Sequence, residues 1–421
     1  MPTLAELSHD YKEIAARAVL LENKIKDLEE EGTGINLEPT KSQREIRSLA
    51  QEVCEKELRP HVFEMDESEE YPEKFIRMLG SLGFLGVYLP EEYGGLGKGV
   101  LSLILVMEEI AKVCPGTAAA FGVNALGTMP ILISGTGDQK QKYLPKIASG
   151  EILAAFCLTE TESGSDAFAM KLKAVLDGDS YVLNGQKHFI TSASRADIYS
   201  VFGVTNPNRG ARGISGFIVE KDTQGFTFGK KERKYGLHCS ETRAVYFDNC
   251  RVPKENLIGG LEGIGAITAL NTLNRSRIVV SAQGLGLAEG AYARALEYAK
   301  ERKQFGQSIV SFQAIQHKLA DMAMQIEATR GLVYQAAWYA DNDYPKDKIA
   351  KFGAMAKCFS SEAAFYVAKE AVQICGGIGF MREFGVGKYL ADAPILSLYE
   401  GTSEIQRNEI AQILIKESNK K

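Results

Sequence analysis

The chain has 421 residues, 45% of them hydrophobic and 24% charged, which is typical of a soluble globular protein with roughly two to four domains. Its formal net charge of −5 excludes the basic surface expected of a nucleic-acid-binding protein. The seven cysteines contain no C-x-x-C pair and the five histidines no H-E-x-x-H motif, so neither a disulfide framework nor a zinc site is predicted. No signal or membrane-spanning pattern is found, and the prediction is a cytoplasmic protein.

The first 31 residues predict one amphipathic helix. Apolar side chains recur every three or four positions from Leu4 to Leu28, and Gly32 follows the last charged residues. Two interpretations stay open: the helix packs on its own domain, or it forms a coiled coil with another chain. A Gly-Thr-Gly linker and Pro39 follow, so residues 1–39 are predicted to form an N-terminal extension and linker.

The rest of the chain predicts three zones. Residues 40–154 show helical periodicity interrupted by loops rich in glycine and proline, which predicts a helical domain. Residues 155–258 consist of short runs rich in β-branched and aromatic residues, bounded by Gly, Asp and Asn, which predicts a β-domain. Residues 259–421 are helical again, and the two longest helices are predicted within residues 282–306 and 311–342.

This order of helices, strands and helices argues against a doubly wound dinucleotide-binding fold. The sequence has no complete G-x-G-x-x-G or G-x-x-x-x-G-K-[ST] motif. Any nucleotide cofactor is therefore expected to bind without the usual glycine-rich fingerprint.

Two short stretches nevertheless indicate a cofactor. The first, FCLTETESGSD at residues 156–166, offers hydroxyl groups and a glycine that suit an anionic or heteroaromatic ligand edge. The second, KHFITS, places Phe189 and Thr191 on one face of a predicted strand. Taken singly, each is better explained as an ordinary loop or strand.

With four further segments, these stretches resemble the acyl-CoA dehydrogenase family. The four are LNRSRIVVSAQGLGLAEGA, ERKQFGQSIVSFQAIQHKLADMA, AVQICGGIGF and LYEGTSEIQR, and all six occur in the family's order over roughly residues 40–415. The resemblance implies an α+β multi-domain fold with an N-terminal helical domain, a central β-domain and a C-terminal four-helix bundle. It also implies FAD as cofactor, an acyl-CoA substrate, electron-transfer flavoprotein as electron acceptor, and a homotetramer.

The resemblance identifies Glu400, in LYEGTSEIQR, as the catalytic base. In the family this residue removes the α-proton of the thioester while flavin N5 accepts the β-hydride, which gives the trans-2-enoyl-CoA. The backbone N–H of the base and a flavin ribityl hydroxyl hydrogen-bond the thioester carbonyl. A free glutamate has a pKa of about 4.3, so burial is expected to raise the pKa of Glu400. Ser276 stands where another branch of the family carries its base.

Other positions are assigned by the same resemblance. The residues that match flavin contacts are Phe156, Leu158, Thr159, Ser165, Phe189, Thr191, Thr402 and Glu404. The residues that match a surface holding the FAD pyrophosphate and adenine of a second subunit are Arg302, Phe305, Gln313, Gln373, Gly376 and Gly377. The residues that match substrate contacts are Ser165, Asn274, Arg277, Tyr399 and Gly401.

The sequence departs from the family at two points. Phe189 stands where many members have tryptophan, and TETESGSD lacks the usual Pro-Gly-Ala, which affects the loop shape over the flavin phosphate.

The acyl group and the direction of the reaction stay open. Small residues between positions 117 and 129 indicate room for a medium, branched or ring-bearing acyl group. An enoyl-CoA reductase and an acyl-CoA oxidase that uses O2 are the alternatives. A nucleic-acid-binding relative of this fold would need a basic C-terminal face, which this acidic chain does not offer.

Overall fold

A computed structural model of the protein describes residues 37–419, and the compact body begins at Pro39. The amphipathic helix predicted for the first 31 residues lies outside the described residues. The predicted order of helical, β and helical zones is confirmed, whereas the boundaries assigned to the domains stay predictions.

The first zone is helical. Its α-helices are α1 (Lys41–Val53), α2 (Val62–Ser68), α3 (Glu73–Ser81), α4 (Gly99–Val113), α5 (Pro115–Ser134) and α6 (Gly137–Ala148). Two begin with reciprocal capping boxes, because Thr40 with Gln43, and Thr136 with Gln139, satisfy N–H groups that have no partner inside the helix. Pro115 begins α5, where its missing N–H is not needed.

The second zone is a curled sheet of seven strands. They are β1 (Ala154–Cys157), β2 (Lys173–Asp177), β3 (Ser180–Thr191), β4 (Ile198–Val204), β5 (Ile214–Glu220), β6 (Phe226–Lys231) and β7 (Thr242–Pro253). The spatial order is β1-β4-β2-β3-β7-β6, with β5 also paired to β4. Between Lys187 and Ile190, β3 has one more residue than its antiparallel partner β7, so a bulge interrupts the register there.

The third zone contains the longest helices. They are α7 (Gly265–Glu301), α8 (Gln313–Asp341), α9 (Lys346–Cys375), α10 (Val386–Asp392) and α11 (Ser403–Ser418), with a hairpin of β8 (Lys303–Gln304) and β9 (Gln307–Ser308) between α7 and α8. The prediction of the two longest helices is wrong in one respect, because α9 has 30 residues and α8 has 29. Helix α7 also begins earlier than predicted, since Gly265 allows the helix to approach the Ser215 backbone, where a Cβ would lie 2.6 Å away.

Helix α5 connects the helical zone to the sheet. Among the described residues it is the one helix long and apolar enough to cross a membrane, but 78% of its apolar window is buried inside the protein. The Asn124 side chain accepts a hydrogen bond from the Ala154 N–H at 2.8 Å, and the Gly127 carbonyl accepts one from Ser200 Oγ at 2.7 Å. These contacts are those of a core helix.

Ion pairs connect α9 with α11 along their length. Lys351 pairs with Glu417 at 2.7 Å, and Arg407 pairs with Glu362 at 2.5 Å. The segment between α10 and α11, which contains Glu400, is therefore attached to α9.

Candidate active site

Glu400 lies in a tight turn immediately before α11. Its φ is +56° and that of Gly401 is +88°, so two consecutive residues adopt left-handed backbone. Glycine does so readily, but a glutamate in this region is uncommon and strained, and such strain concentrates at functional sites. The helix starts directly afterwards, because the Thr402 side chain accepts a hydrogen bond from the Ile405 N–H at 3.2 Å.

Two buried side chains hold the turn through hydrogen bonds to its backbone carbonyl groups. The amide nitrogen of Gln406 donates to the carbonyl oxygens of Glu400 at 2.9 Å and Gly401 at 3.1 Å. The ammonium of Lys357, on α9, donates to the Gly401 carbonyl at 2.5 Å. A Cβ at position 401 would lie 2.5 Å from the Gln406 amide, so the position requires glycine for space as well as for backbone conformation.

The carboxylate of Glu400 is partly buried and is held by α7. Ser276 Oγ donates to Glu400 Oε2 at 2.6 Å. Burial raises the pKa of Glu400, while the Ser276 hydrogen bond and the positive charges of Arg277 and Lys357 oppose the rise. A carboxylate in such surroundings is a stronger base than one in water.

Tyr399 connects the turn to α5. Its hydroxyl donates to Gln283 Oε1, and Gln283 Nε2 donates to the Pro115 carbonyl at 2.8 Å. Burial raises the pKa of Tyr399, so the phenol stays neutral. Residues 117–129, predicted to line an acyl cavity, follow directly in α5.

The two hydroxyl and aromatic motifs of the β-domain lie side by side. The His188 N–H donates to the Thr159 carbonyl at 2.8 Å, which joins β3 to the segment that follows β1. The bulge in β3 places Phe189 at a φ of +58° with 63% of its surface exposed. Thr159 and Thr191 are partly buried and Ser165 is exposed. The structure therefore presents an exposed ring beside a row of hydroxyl groups.

A buried ion pair that the sequence analysis missed supports this segment. Lys187 is 0% exposed and donates to the Leu158 carbonyl at 2.9 Å and to Glu160 Oε1 at 2.8 Å. Glu160 also accepts the backbone N–H groups of Lys171 at 2.6 Å and Leu172 at 2.9 Å. The carboxylate is thus satisfied by one cation and two amides.

An apolar cluster joins the β-domain side to the Glu400 side. Phe156 and Leu158 pack with Leu273 of α7 and Leu126 of α5. Ser276, the donor to Glu400, follows Leu273 within one helical turn. The structure therefore brings the segment 156–159 and the Glu400 turn to the same stretch of α7.

Buried polar atoms without partners lie on α7 and α11, the helix that carries Ser276 and the helix that follows the turn. Among the described residues, Thr272 Oγ1, Asn274 Oδ1, Arg277 Nε and Gln406 Oε1 are buried without a hydrogen-bond partner. Such atoms are uncommon in native proteins, and a bound polar ligand or water would supply the missing partners. Arg277 is 4% exposed and pairs through Nη1 with Glu409, so its charge is already compensated.

A second set of predicted residues lies elsewhere. Its members are Arg302, Phe305, Gln313, Gln373, Gly376 and Gly377, and all are exposed. Lys318 pairs with Glu370, so the start of α8 and the end of α9 lie together. Gln373 follows Lys357 by sixteen residues on α9, about 24 Å along the helix axis. Glu404, one residue into α11, is also exposed. Within one chain, the set at the end of α9 is separate from Glu400.

Three family models match the chain in succession. They are the acyl-CoA dehydrogenase N-terminal domain over residues 40–151, the middle domain over 155–250 and the C-terminal domain over 263–415. The chain belongs to the acyl-CoA dehydrogenase family. Members of this family are FAD-dependent oxidoreductases, so the predictions of the family, the fold, the enzyme class and the FAD cofactor are confirmed.

Individual relatives match over almost their whole length. The short-chain-specific acyl-CoA dehydrogenase of Clostridium acetobutylicum is 42% identical over 87% of this chain and 96% of its own. The structure of butyryl-CoA dehydrogenase from Megasphaera elsdenii has a TM-score of 0.88 and 43% identity, covering 90% of this chain and all of that one. A chain in a structure of the electron transferring flavoprotein of Acidaminococcus fermentans has a TM-score of 0.88 and 47% identity, covering 90% of this chain and 99% of that one.

The residues present fit a flavin. Phe189 exposes an aromatic ring, while the hydroxyl groups of Thr159 and Thr191 are partly accessible beside it. The unpartnered buried atoms of α7 and α11 provide further donors and acceptors for a bound polar molecule.

Proposed function

We propose that the protein dehydrogenates an acyl-CoA thioester to the trans-2-enoyl-CoA, with Glu400 as the base that removes the α-proton. The observation that carries this proposal is a partly buried carboxylate in a strained turn, held by Ser276 and with a raised pKa. Bound FAD supplies the acceptor for the β-hydrogen, which leaves as a hydride. The substrate thus loses one proton to Glu400 and one hydride to the cofactor.

The residues around Glu400 have different roles in the proposed reaction. Ser276 orients the carboxylate, while Gln406 and Lys357 fix the turn that carries it. Tyr399, held by Gln283, lines the acyl side together with α5. Thr159, Phe189 and Thr191 would hold the flavin, while Asn274 would contact the CoA portion. Glu400 and Tyr399 are thus held by hydrogen bonds before the substrate arrives, as efficient proton transfer requires.

We propose a short acyl chain as the preferred substrate class. The Met107 side chain lies beside the small residues of α5, 2.9 Å from where a Cβ at Gly122 would lie, and so reduces the space next to this part of the helix. The similarity to a short-chain-specific enzyme and to a butyryl-CoA dehydrogenase agrees with this choice.

We propose electron-transfer flavoprotein as the electron acceptor, supported by the 47% identity to the Acidaminococcus chain. The exposed set at the end of α9 supports a homotetramer in which this surface meets the FAD of a neighbouring subunit. A cytoplasmic location stays a prediction.

Two rate comparisons test the alternative activities. Oxidation of the substrate-reduced flavin by air as fast as by electron-transfer flavoprotein would identify an oxidase. Faster reduction of an enoyl-CoA than oxidation of the acyl-CoA would identify a reductase.

The central test is a stopped-flow assay of the purified flavoprotein. A panel of CoA thioesters is mixed with the protein and bleaching of the flavin absorbance is recorded. Glu400→Gln is expected to keep bound FAD and to lose bleaching by at least about a thousandfold, because proton transfer by a positioned base is removed. Glu151→Gln, at a side chain that is 62% exposed, is the control. Bleaching at the wild-type rate in Glu400→Gln would refute the assignment.

A further inference from the structure

Lys357 is a buried lysine without a carboxylate partner. It is 0% exposed, and its ammonium forms no ion pair within 4.0 Å among residues 37–419. The other deeply buried lysines do have such partners. Lys187 pairs with Glu160 at 2.8 Å, and Lys388 pairs with Asp392 at 2.5 Å. A buried ammonium without a nearby anion is unfavourable, so its presence calls for a physical reason.

The one hydrogen bond that the structure gives this ammonium leads to the active-site turn. Lys357 donates to the carbonyl of Gly401, the residue next to Glu400. Among the cations near Glu400, Arg277 is already paired with Glu409. Lys357 is therefore the cation near Glu400 that has no carboxylate within 4.0 Å in the described chain.

The charged and titratable groups around this pair come from three elements. They are Arg277 on α7, Lys357 and Cys358 on α9, and Tyr399 and Glu404 in and after the turn. Burial keeps the Tyr399 phenol neutral, and Glu404 is exposed to solvent. Burial also raises the pKa of Cys358, so this thiol is neutral as well. Glu400 and Lys357 are thus the two groups of opposite charge that remain.

We propose that Lys357 is a positioning residue for proton abstraction: it fixes the Glu400–Gly401 turn through the Gly401 carbonyl, and its positive charge favours the ionised form of the Glu400 carboxylate. This inference rests on the proposed role of Glu400 as the base. Lys357 does not touch the substrate, and no proton leaves its ammonium in the reaction.

Such a cation resolves a conflict in the site. A base in a water-poor pocket gains basicity, but the same burial favours its protonated form, which cannot accept a proton. A positive charge close by restores the ionised form without bringing water back. Burial lowers the pKa of Lys357 to about 8, against the pull of Glu400, so the charged form of the lysine still predominates at pH 7.

Three substitutions separate the hydrogen bond from the charge. Lys357→Met removes both, Lys357→Gln removes the charge but can still donate to the Gly401 carbonyl, and Lys357→Arg keeps the charge. The measurement is the pH dependence of flavin bleaching by butyryl-CoA. The rate rises with pH as Glu400 loses its proton, and in Lys357→Met and Lys357→Gln this rise is expected about one pH unit higher than in the wild type. Lys357→Arg should keep the rise close to the wild-type position.

A second readout does not depend on turnover. Infrared difference titration of the flavin-loaded protein, without substrate and with Glu400→Gln as reference, follows the protonated carboxyl band of Glu400. That band should persist to a pH about one unit higher in Lys357→Gln than in the wild type. Wild-type protein that fails to bleach with any acyl-CoA would refute the proposed function, while this titration would still report on the lysine.

Lys351→Met is the matched control, because it removes a lysine of the same helix that is largely buried but is paired with its own carboxylate, Glu417, at 2.7 Å. It should leave the pH position of the rise unchanged in the fraction that retains FAD. If Lys357→Met does not fold, Lys357→Gln gives the same test. A folded, FAD-loaded Lys357→Gln whose rate profile and infrared titration coincide with the wild type would overturn the proposal.

Discussion

The two sides of the active site each contain a fully buried lysine that donates to a backbone carbonyl. On the β-domain side, Lys187 donates to Leu158 and has Glu160 as its counter-charge at 2.8 Å. On the helical side, Lys357 donates to Gly401 and has no carboxylate within 4.0 Å in the described chain. The charge of Lys187 is balanced by Glu160 within the β-domain. The charge of Lys357 has no such partner and can act on Glu400. The presence or absence of a paired carboxylate, and not the degree of burial, therefore distinguishes a structural lysine from one that changes the pKa of a functional group.

The largest effect on stability is expected on the β-domain side. Lys187→Met leaves Glu160 buried without its cation, and breaking a buried pair in this way costs about 3–5 kcal/mol. Denaturant-induced unfolding, monitored by circular dichroism, should show this loss, together with weaker FAD retention. The double variant Lys187→Met with Glu160→Gln should recover part of the free energy of unfolding. If Lys187→Met alone is as stable as the wild type, the buried lysines Lys187 and Lys357 do not differ in the way described.

The opposite change in the free energy of unfolding is expected for Lys357→Met at neutral pH. Its removal breaks no ion pair within 4.0 Å in the described chain and relieves a buried charge, so the free energy of unfolding should be unchanged or higher by up to about 3 kcal/mol, the equivalent of lowering a lysine pKa from 10.5 to about 8.

The pH dependence of the free energy of unfolding provides a second test of this variant. Between about pH 8 and 10.5 the unfolded wild-type chain binds more protons at Lys357 than the folded one, so this lysine makes wild-type stability rise with pH in that window. The difference from Lys357→Met should therefore shrink there. Unfolding free energies measured at pH 7 and pH 10 provide the check, and a clear loss of stability at pH 7 would contradict the assignment.

The smallest effect is expected at Ser276. Ser276→Ala removes the 2.6 Å hydrogen bond that opposes the raised pKa of Glu400, so the rise of the bleaching rate should move to higher pH by about one unit, with a rate loss equivalent to about 1 kcal/mol. Ser281→Ala is the control, since this buried serine on the same helix donates to the Arg277 carbonyl and not to Glu400. Equal profiles for both variants would show that Ser276 does not tune the base.

Much of the architecture could be predicted from the sequence because its signals are local. The change from helical periodicity to short β-rich runs and back marks the three zones, and the segments FCLTETESGSD, KHFITS and LYEGTSEIQR identify the family. The relative lengths of α8 and α9 were not predictable in this way, because packing against neighbouring helices decides where a long helix ends.

The sequence by itself determined the order of the zones, the family and the candidate base, since each depends on residue types within a short window. Only the tertiary structure decided how that base is held. Lys187 meets Glu160 from 27 residues away, Lys357 meets Gly401 from 44, and Ser276 meets Glu400 from 124. The effect of a charge depends on its distance from other charges and from water, and both are set by the fold, not by position along the chain.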